Sequence, residues 1–269
     1  MQLPEAAPLS LWPSRLAVQT PGDASAGHAH HTMHLVLARE GTLTLRGDTL
    51  RGDTVRAETV PADRVAGAHA GVLTPPDVPH ALDAEGQIVV LLFIDPESRP
   101  GRRLRAGLEG IRTLSAGERD ALLEGLPARP TSSELDAWAR RTLDRLAGEE
   151  APAPMHPKVR ALLEALRELP PDADTSLEAL AARVSLSPSR LMHAFTESVG
   201  IPLRPYLRWL RVQRAATAIV TGTPLSLAAA EAGFSDAAHM SRTFKQMFGM
   251  TPSALQRRAE IDSQSVQAR

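Results

Sequence analysis

Hydrophobic positions in the first hundred residues alternate with polar ones in short segments that Gly, Pro and Asp interrupt. The alternating segments lie at residues 16–18, 34–38, 42–45 and 89–93. Alternation with a period of two is typical of half-buried strands, so this part of the chain is predicted to form a small β-barrel or sandwich. Two Gly-Asp turn signals within residues 46–54 predict a hairpin or two successive turns there.

Beyond residue 100, apolar side chains recur at spacings of three and four. They are Leu135, Trp138, Thr142 or Leu143, and Leu146. This spacing predicts an amphipathic helix over residues 131–147 with an N-cap at Thr131, Ser132 or Ser133. The helix either packs against the β domain or joins two copies of the chain in a homodimer.

A stretch rich in Pro and Ala, residues 148–157, is typical of a linker and predicts that the chain divides there. Residues 1–147 are expected to hold the β structure and one helix, residues 158–258 to be helical throughout, and residues 259–269 to form a tail. The length of 269 residues agrees with two domains of ordinary size. The predicted fold class is therefore α+β with two domains.

The C-terminal half contains one unit twice, at an offset of 48 to 49 residues. Each copy has small residues, a turn that ends in serine, two apolar residues expected to point inward, and a glycine. These are Ala181, Ala182, Ser187, Leu191, Phe195 and Gly200 in the first copy and Ala229, Ala230, Ser235, Met240, Phe244 and Gly249 in the second. One structural unit is therefore expected at about residues 176–199 and again at 225–248.

Turn and cap signals predict that each copy is a helix, a short turn and a second helix. In the first copy, Thr175 and Glu178 have the spacing of a capping box, and Ser187 precedes proline as an N-cap. In the second, Gly233 suits the left-handed position that ends a helix, and Ser235 is expected to cap the next one. Both copies are therefore predicted to be helix-turn-helix units.

Residues 202–221, between the copies, begin near a proline and are predicted to form a helix of about 20 residues, hence about 30 Å long. Successive major grooves on one side of B-form DNA are about 34 Å apart, so such a spacer would let both units reach adjacent turns. An arginine stripe lies along one side of this helix: Arg204, Arg208, Arg211 and Arg214. The stripe either faces solvent, pairs within the chain, packs on partner helices or contacts phosphate.

Several stretches of residues 176–255 match a known pattern. They are residues 177–181, 187–191, 206–207 and 211–215, and most specifically residues 229–236, 241–245 and 249–252. By these residues the domain resembles the DNA-binding domain of the AraC/XylS family of transcriptional regulators. The resemblance implies sequence-specific binding of duplex DNA beside a promoter, usually with activation of transcription through RNA polymerase.

The positions of the matching residues imply which side chains face the bases: Ser189, Met192 and His193 on the first recognition helix, and Ala237, Ala238, Ser241 and Arg242 on the second. Arg242 is the strongest of these, because a guanidinium can bond O6 and N7 of guanine together. Arg190 and Lys245 are expected to contact phosphate. His193 and Thr196 depart from the family's common residues. The first unit is therefore expected to bind DNA more weakly than the second, or to bind a site with fewer guanines.

Histidines are concentrated in the N-terminal domain. The spacing of His28, His30 and His34 resembles the first cupin motif, with His34 in place of its usual glutamate, and Pro79-His80 resembles the second. Residues 28, 30 and 34 have the same parity, so in a strand they would share one face. With His80 they could offer four imidazoles to a divalent metal such as Zn, Ni, Fe or Cu. The alternatives are a small organic effector in the same barrel and a barrel without ligand.

Composition and charge narrow the classes further. The absence of cysteine excludes disulfide scaffolds, cysteine-ligated metal and cysteine nucleophiles, and 3% aromatic residues argue against a stacking platform for single strands. From His156 onward 14 Lys and Arg oppose 10 Asp and Glu, whereas 16 oppose 21 before it, which is compatible with phosphate contact by the C-terminal domain. No apolar run approaches the roughly 18 residues that span a bilayer, so a cytoplasmic protein without membrane contact is expected.

The chain is therefore expected to be a DNA-binding regulator and not an enzyme. An N-terminal cupin-like β-barrel with one helix would sense an unidentified small molecule or metal, and two helix-turn-helix units joined by a long helix would bind duplex DNA. Occupancy of the barrel would change the geometry between domains or subunits and hence DNA affinity or activation. The one candidate cofactor is a divalent metal in the N-terminal barrel. The alternative from another class is a metal-dependent cupin enzyme with an appended helical interaction domain.

Overall fold

The computed structural model describes residues 15–46, 66–147, 151–152, 154–170 and 172–257. The turns expected after Arg46, parts of the expected linker and the expected tail at 259–269 lie outside the described residues. The chain forms two compact units, one built mainly from Pro13–Ala153 and the other mainly from Pro154–Phe244 and Thr251–Arg269.

The N-terminal unit contains strands and three helices among its described residues. The strands are β1 (Arg15–Pro21), β2 (Met33–Ala38), β3 (Leu43–Arg46), β4 (Gly67–His69), β5 (Gly71–Thr74), β6 (Ala81–Asp83), β7 (Ile88–Ile94) and β8 (Arg112–Leu114). The helices are α1 (Arg99–Ala106), α2 (Ala116–Leu123) and α3 (Ser132–Leu146). Strands and helices in one unit agree with the predicted α+β organisation. The expectation of a single helix in this region is wrong, because α1 and α2 precede α3.

The strands form two antiparallel sheets within the described part of the chain. One sheet has the order β1-β7-β2-β5-β8 and the other β4-β3-β6. Every residue of β2 is buried, since both faces of this central strand are covered. Two isolated β-bridges connect the segment before β2 to β6 and to the residue that precedes β6. They pair Ala24 with Asp83 and His28 with His80. The sheets are not closed on one another in the described residues, so the cupin-like barrel stays a prediction.

Helix α3 confirms the amphipathic helix predicted between residues 131 and 147. Thr131 is its N-cap, and Glu134 completes a capping box by accepting the backbone N–H of Thr131 at 2.7 Å. Trp138 is fully buried in the core of the first sheet and donates its indole N–H to the carbonyl of Leu122 at 2.8 Å. The apolar stripe of α3 is therefore used within its own domain, and its exposed residues are mostly charged.

The C-terminal unit is helical. Its helices are α4 (Pro157–Glu168), α5 (Leu177–Arg183), α6 (Pro188–Val199), α7 (Leu203–Val220), α8 (Leu225–Glu231) and α9 (Ala237–Phe248). The apolar residues expected to point inward on α6 and α9 are all buried: Leu191, Phe195, Met240 and Phe244. The small residues Ala181 and Ala229 are buried as well, since neighbouring helices pack closely there.

Helix α7 connects the two helix-turn-helix units, as the sequence predicts. Its 18 residues give it a length of about 27 Å at 1.5 Å per residue. One side of α7 is buried through its whole length, from Leu203 to Ile219. Because α7 packs along its whole length, we expect it to act as a stiff spacer between the two units. None of the helices among the described residues is long and apolar enough to cross a membrane.

The N-cap predicted for α5 is wrong by one residue. Ser176, and not Thr175, caps the helix: its hydroxyl accepts the backbone N–H of Ala179 at 3.3 Å. The Asp174 carboxylate accepts the backbone N–H of Ser176 at 2.8 Å. This Asp174 turn places Ser176 at the start of the helix, so the capping box expected between Thr175 and Glu178 does not form.

The cap predicted for α9 also differs. Asp236 Oδ1 accepts the backbone N–H of His239 at 2.6 Å, while the Ser235 hydroxyl bonds Asp236 Oδ2 and His239 Nδ1, both at 3.1 Å. A carboxylate is the stronger acceptor for backbone N–H groups at a positive helix end. The N-cap of α9 is therefore Asp236 and not Ser235.

Candidate DNA-binding surface and histidine cluster

The turns of the two helix-turn-helix units have the same hydrogen bonds. In the first, the backbone N–H of Ser185 donates to Ala182 O and that of Leu186 to Ala181 O, both at 3.0 Å. In the second, Gly233 donates to Ala230 O at 3.0 Å and Phe234 to Ala229 O at 2.9 Å. Ser185 and Gly233 both have positive φ, at 52° and 77°. The turn predicted from Gly233 is confirmed, and the first copy builds it with serine.

The second helix of the first unit, α6, begins as predicted with Ser187 as N-cap and Pro188 as its first residue. Its predicted contact residues all lie on the solvent-exposed side: Ser189, Arg190, Met192 and His193. Met192 is 48% exposed, although it is a large apolar side chain. An exposed apolar residue on such a helix can pack against the methyl group of thymine. The exposed side of α6 therefore offers polar, basic and apolar groups together.

The second helix of the second unit, α9, also has an exposed side. Ala238, Arg242 and Lys245 are exposed, and Ala237 and Ser241 are half-buried at its edge. Gln246 is exposed too, four residues after Arg242 and so on the same side. Gln246 was not predicted from the sequence, although its spacing of four residues from Arg242 on one helix would have indicated it.

The arginine stripe of α7 divides into two parts. Arg204 and Arg208 are exposed, whereas Arg211 and Arg214 are half-buried. The Nη2 atom of Arg214 donates to two carbonyl oxygens at the C-terminal end of α4, Leu166 O at 3.1 Å and Leu169 O at 2.8 Å. Arg214 therefore satisfies orphan carbonyls of another helix and is not positioned for phosphate. Arg204 and Arg208 are exposed and so remain candidates for phosphate contact.

In the N-terminal unit, the structure brings together all four histidines named from the sequence. His28, His30, His34 and His80 are buried, and the ring centroids of neighbouring pairs are 4.3–5.3 Å apart. Strand parity is not the reason, because β2 begins only at Met33 and a bend at residues 31–32 precedes it. The expectation of one shared strand face is therefore wrong. The four histidines come together because the segment that contains His28 and His30 pairs with the segment that contains His80, through an isolated β-bridge between His28 and His80.

His31, at the bend, lies outside the cluster and forms two ion pairs, one with the buried Glu97 and one with the partly exposed Asp77. Its Nδ1 lies 2.6 Å from Asp77 Oδ2 and its Nε2 lies 3.0 Å from Glu97 Oε1. Burial alone would lower the pKa of His31, but the Glu97 carboxylate and the hydrogen bonds to Asp77 and Glu97 outweigh it and raise the pKa to about 10. His31 is therefore a cation at neutral pH that ties the histidine loop to two other segments.

The histidines of the cluster have the opposite electrostatics. Burial lowers the pKa of His80 to about 3, and burial together with the neighbouring imidazoles lowers the pKa of His30 and His34 well below 6.5. Burial also lowers the pKa of His28. These imidazoles are neutral at pH 7, the form in which histidine can donate a lone pair.

Three of these residues meet the spacing of a metal site. His28, His30 and His80 each offer one ligand atom, and these atoms lie within 4.8 Å of one another. His34 is adjacent: its Nδ1 lies 3.1 Å from His30 Nε2, and its Nε2 lies 3.2 Å from Thr74 Oγ1. The alternation of residues along one strand could not predict the contact of His34 with Thr74 or the ion pairs of His31. These contacts join residues about 40 to 66 positions apart in the chain.

Comparison with known proteins places the C-terminal region. Residues 180–258 match the model of a family described as helix-turn-helix domain. The arabinose operon regulatory protein of Escherichia coli (strain K12) is 33% identical over 104 residues, which cover 37% of this chain and 35% of that protein. The bifunctional transcriptional activator/DNA repair enzyme Ada of the same organism is 28% identical over 137 residues, 51% of this chain and 38% of Ada. The chain thus spans little more than a third of these curated relatives.

The fold of the chain resembles that of ToxT from Vibrio cholerae. An apo ToxT variant superposes with a TM-score of 0.54 at 13% identity, over 90% of this chain and 96% of that one. ToxT with an unsaturated fatty acid bound gives 0.53 at 13% identity, over 90% and 94%. At this identity the likeness shows the fold: an N-terminal sheet domain followed by a C-terminal helical domain. The repeated helix-turn-helix geometry agrees with the helix-turn-helix domain model that residues 180–258 match, and this C-terminal region is similar in sequence to the arabinose operon regulatory protein.

Proposed function

We propose that this protein is a sequence-specific DNA-binding transcriptional regulator. The observation that carries the proposal is the repeated turn, which presents the exposed sides of α6 and α9 from two equivalent supports joined by α7. Second helices of such units enter the major groove of DNA. The names of the relatives, an arabinose operon regulator and a transcriptional activator, support regulation over the enzyme alternative.

The roles of individual residues follow from their chemistry. Arg242 bonds guanine, because its exposed guanidinium can reach O6 and N7 together. Ser189, Met192 and His193 on α6 and Ala237, Ala238 and Ser241 on α9 complete the base-facing surface. Arg190 and Lys245 contact phosphate, which sets the position of the protein without reading sequence. Specificity therefore rests mainly on α9.

The N-terminal domain acts in this proposal as an effector-binding domain of cupin-like form. The support is its cluster of His28, His30, His34 and His80, together with a ToxT structure of the same fold that has a fatty acid bound. An effector acts only through a difference in its affinity for two states of the protein. Activation through RNA polymerase is the expected output. A homodimer through α3 would use the charged face of that helix, since its apolar face is buried in its own domain.

Selection of bound sequences from randomised duplexes tests the proposal. The expected product is a motif in two parts, with centres one helical turn, about 10 base pairs, apart. Hydroxyl-radical footprinting on the selected duplex should then show protection in two adjacent turns on one side of the DNA. Recovery of no enriched sequence, or of one short block only, would count against the two-unit mode of binding. A Ser187→Pro variant removes the side-chain cap of α6. It serves as the control for the part of the motif that α6 contacts, which this variant should select less strongly.

A further inference from the structure

The hydrogen bonds of the histidine cluster determine which nitrogen of each ring carries the proton. Nδ1 of His28 lies 2.8 Å from Ala26 O, Nδ1 of His30 lies 2.9 Å from Thr32 O, and Nδ1 of His80 lies 2.8 Å from Val78 O. A carbonyl oxygen only accepts, so in all three rings Nδ1 must be the donor. The lone pair of each neutral imidazole is then on Nε2.

One of these lone pairs is without a partner. Among the side chains that the structure describes, His80 Nε2 is a buried nitrogen with no hydrogen bond. His80 is 1% exposed, so bulk water does not reach it. Buried polar atoms are normally satisfied, and an unsatisfied one points to a ligand or a specific role. The rings of His28 and His30 lie next to it, with centroids 4.3 and 5.2 Å away.

From this arrangement we infer that His28, His30 and His80 bind one divalent transition-metal ion through their Nε2 atoms. Imidazole is a ligand of choice for Zn²⁺, Ni²⁺, Cu²⁺ and Fe²⁺ and a poor one for Mg²⁺ and Ca²⁺, which prefer oxygen. Hydrogen bonds from Nδ1 to backbone carbonyls are the usual outer contacts of metal-binding histidines, because they fix the tautomer and the ring orientation. All three rings have this contact.

His34 is not a fourth ligand of the metal. It competes with the metal for the lone pair of His30. Because the proton of His30 is on Nδ1, its Nε2 accepts the hydrogen bond from His34 Nδ1 at 3.1 Å. The Thr74 hydroxyl then donates to His34 Nε2 at 3.2 Å. A metal ion takes the His30 lone pair, so its binding breaks the His34 contact. The ring of His34 is thereby released from His30 and moves when the metal binds.

The metal site stands on the histidine geometry alone, whereas its regulatory meaning rests on the proposed function. If the chain regulates transcription, the effector class of its N-terminal domain is a transition-metal ion. Release of His34 on β2, a central strand of the larger sheet, is the local event through which the ion changes that domain.

Calorimetry on the full-length chain, stripped of metal with a chelator, tests the site with Zn²⁺ as the probe. We expect one equivalent to bind to the wild type, and Co²⁺ to give visible d–d absorption bands typical of nitrogen coordination. His30→Asn and His80→Asn should weaken Zn²⁺ binding more than about a hundredfold, beyond the usual effect of losing an outer contact. His156→Asn, which removes an exposed histidine elsewhere and keeps a residue able to cap α4, should leave Zn²⁺ binding unchanged. Equal binding by wild type and the His80 variant would overturn the site.

His34→Phe separates a competing histidine from a ligating one. Loss of a competitor should leave Zn²⁺ affinity equal or higher, whereas a loss of more than about tenfold would overturn the role given to His34. Thermal unfolding and circular dichroism check that each variant folds, and His34→Leu replaces His34→Phe if the larger ring does not fit.

The regulatory arm is measured separately, by fluorescence anisotropy on a selected duplex with and without Zn²⁺. A change in DNA affinity of at least about fivefold in the wild type, absent in His80→Asn, supports a metal effector. Metal binding without such a change retains the site and overturns its regulatory role. Absence of any duplex binding counts against the proposed function, while calorimetry still decides the metal site.

Discussion

Ser185 and Gly233 occupy the same position in two copies of one turn, 48 residues apart in the chain. Both have a left-handed backbone, and the N–H groups of each and of the following residue close the preceding helix in the same way. Serine has a Cβ atom that is crowded in this conformation, and glycine has none. The first copy therefore stores strain that the second avoids.

Exchange of these two residues should have opposite effects. Ser185→Gly relieves the strain but loosens the unfolded chain, so we expect a stabilisation below about 1 kcal/mol. The matched Gly233→Ser introduces the strain and should destabilise by about 1 kcal/mol. Urea unfolding of the full chain, followed by circular dichroism, measures both. Destabilisation by Ser185→Gly would contradict the assigned turn.

Arg242→Ala should weaken binding to the selected duplex by about 1–3 kcal/mol and relax specificity at one base pair. The loss comes from a bidentate contact that alanine cannot make. The measurement is anisotropy on a set of duplexes with every single base change. Lys245→Ala is the control, because loss of a phosphate contact should weaken all duplexes alike and lower the salt dependence. A uniform loss in the Arg242 variant would remove its role as a base reader.

His31→Ala should lower the free energy of unfolding by about 3–5 kcal/mol, the usual cost of removing one partner of a buried ion pair. Glu97 has a side chain only 4% exposed and would be left as an uncompensated buried carboxylate. Chemical unfolding at neutral pH measures the loss. The double variant with Glu97→Gln should recover part of it, since the second charge is then absent. No recovery would mean that the cost has another origin.

Arg214 and Arg208 are a matched pair on α7 with different expected roles. Arg214→Ala leaves two carbonyls at the end of α4 without their donor and should cost about 1–3 kcal/mol of stability. Arg208→Ala should change stability by less than about 0.5 kcal/mol, because the side chain is exposed. Unfolding and DNA binding of both variants decide the point. The assignment fails if Arg208 proves the more destabilising change.

Several features of the C-terminal domain were predicted correctly because they depend on neighbours in sequence. Helix α6 starts at Ser187-Pro188 and the second turn has Gly233, as the residue types indicate. The two misplaced caps were errors of one residue each. At α9 the Asp236 carboxylate caps the helix in place of the expected Ser235 hydroxyl, and at α5 the Ser176 hydroxyl does so after Asp174 binds the Ser176 backbone N–H. Such competition depends on the exact backbone path, which residue types alone do not give.

The repeated helix-turn-helix, the connecting helix and the amphipathic helix α3 were predictable from residue types and spacing, because hydrogen bonds and side-chain periods within a few residues specify them. Three-dimensional packing was needed to establish that His28, His30, His34 and His80 meet, that Asp77 and Glu97 hold His31, and that Arg214 binds the carbonyls at the end of α4. These contacts join residues far apart along the chain. Local pattern carries no information on such distances, whereas the pairing of strands and the packing of helices set them directly.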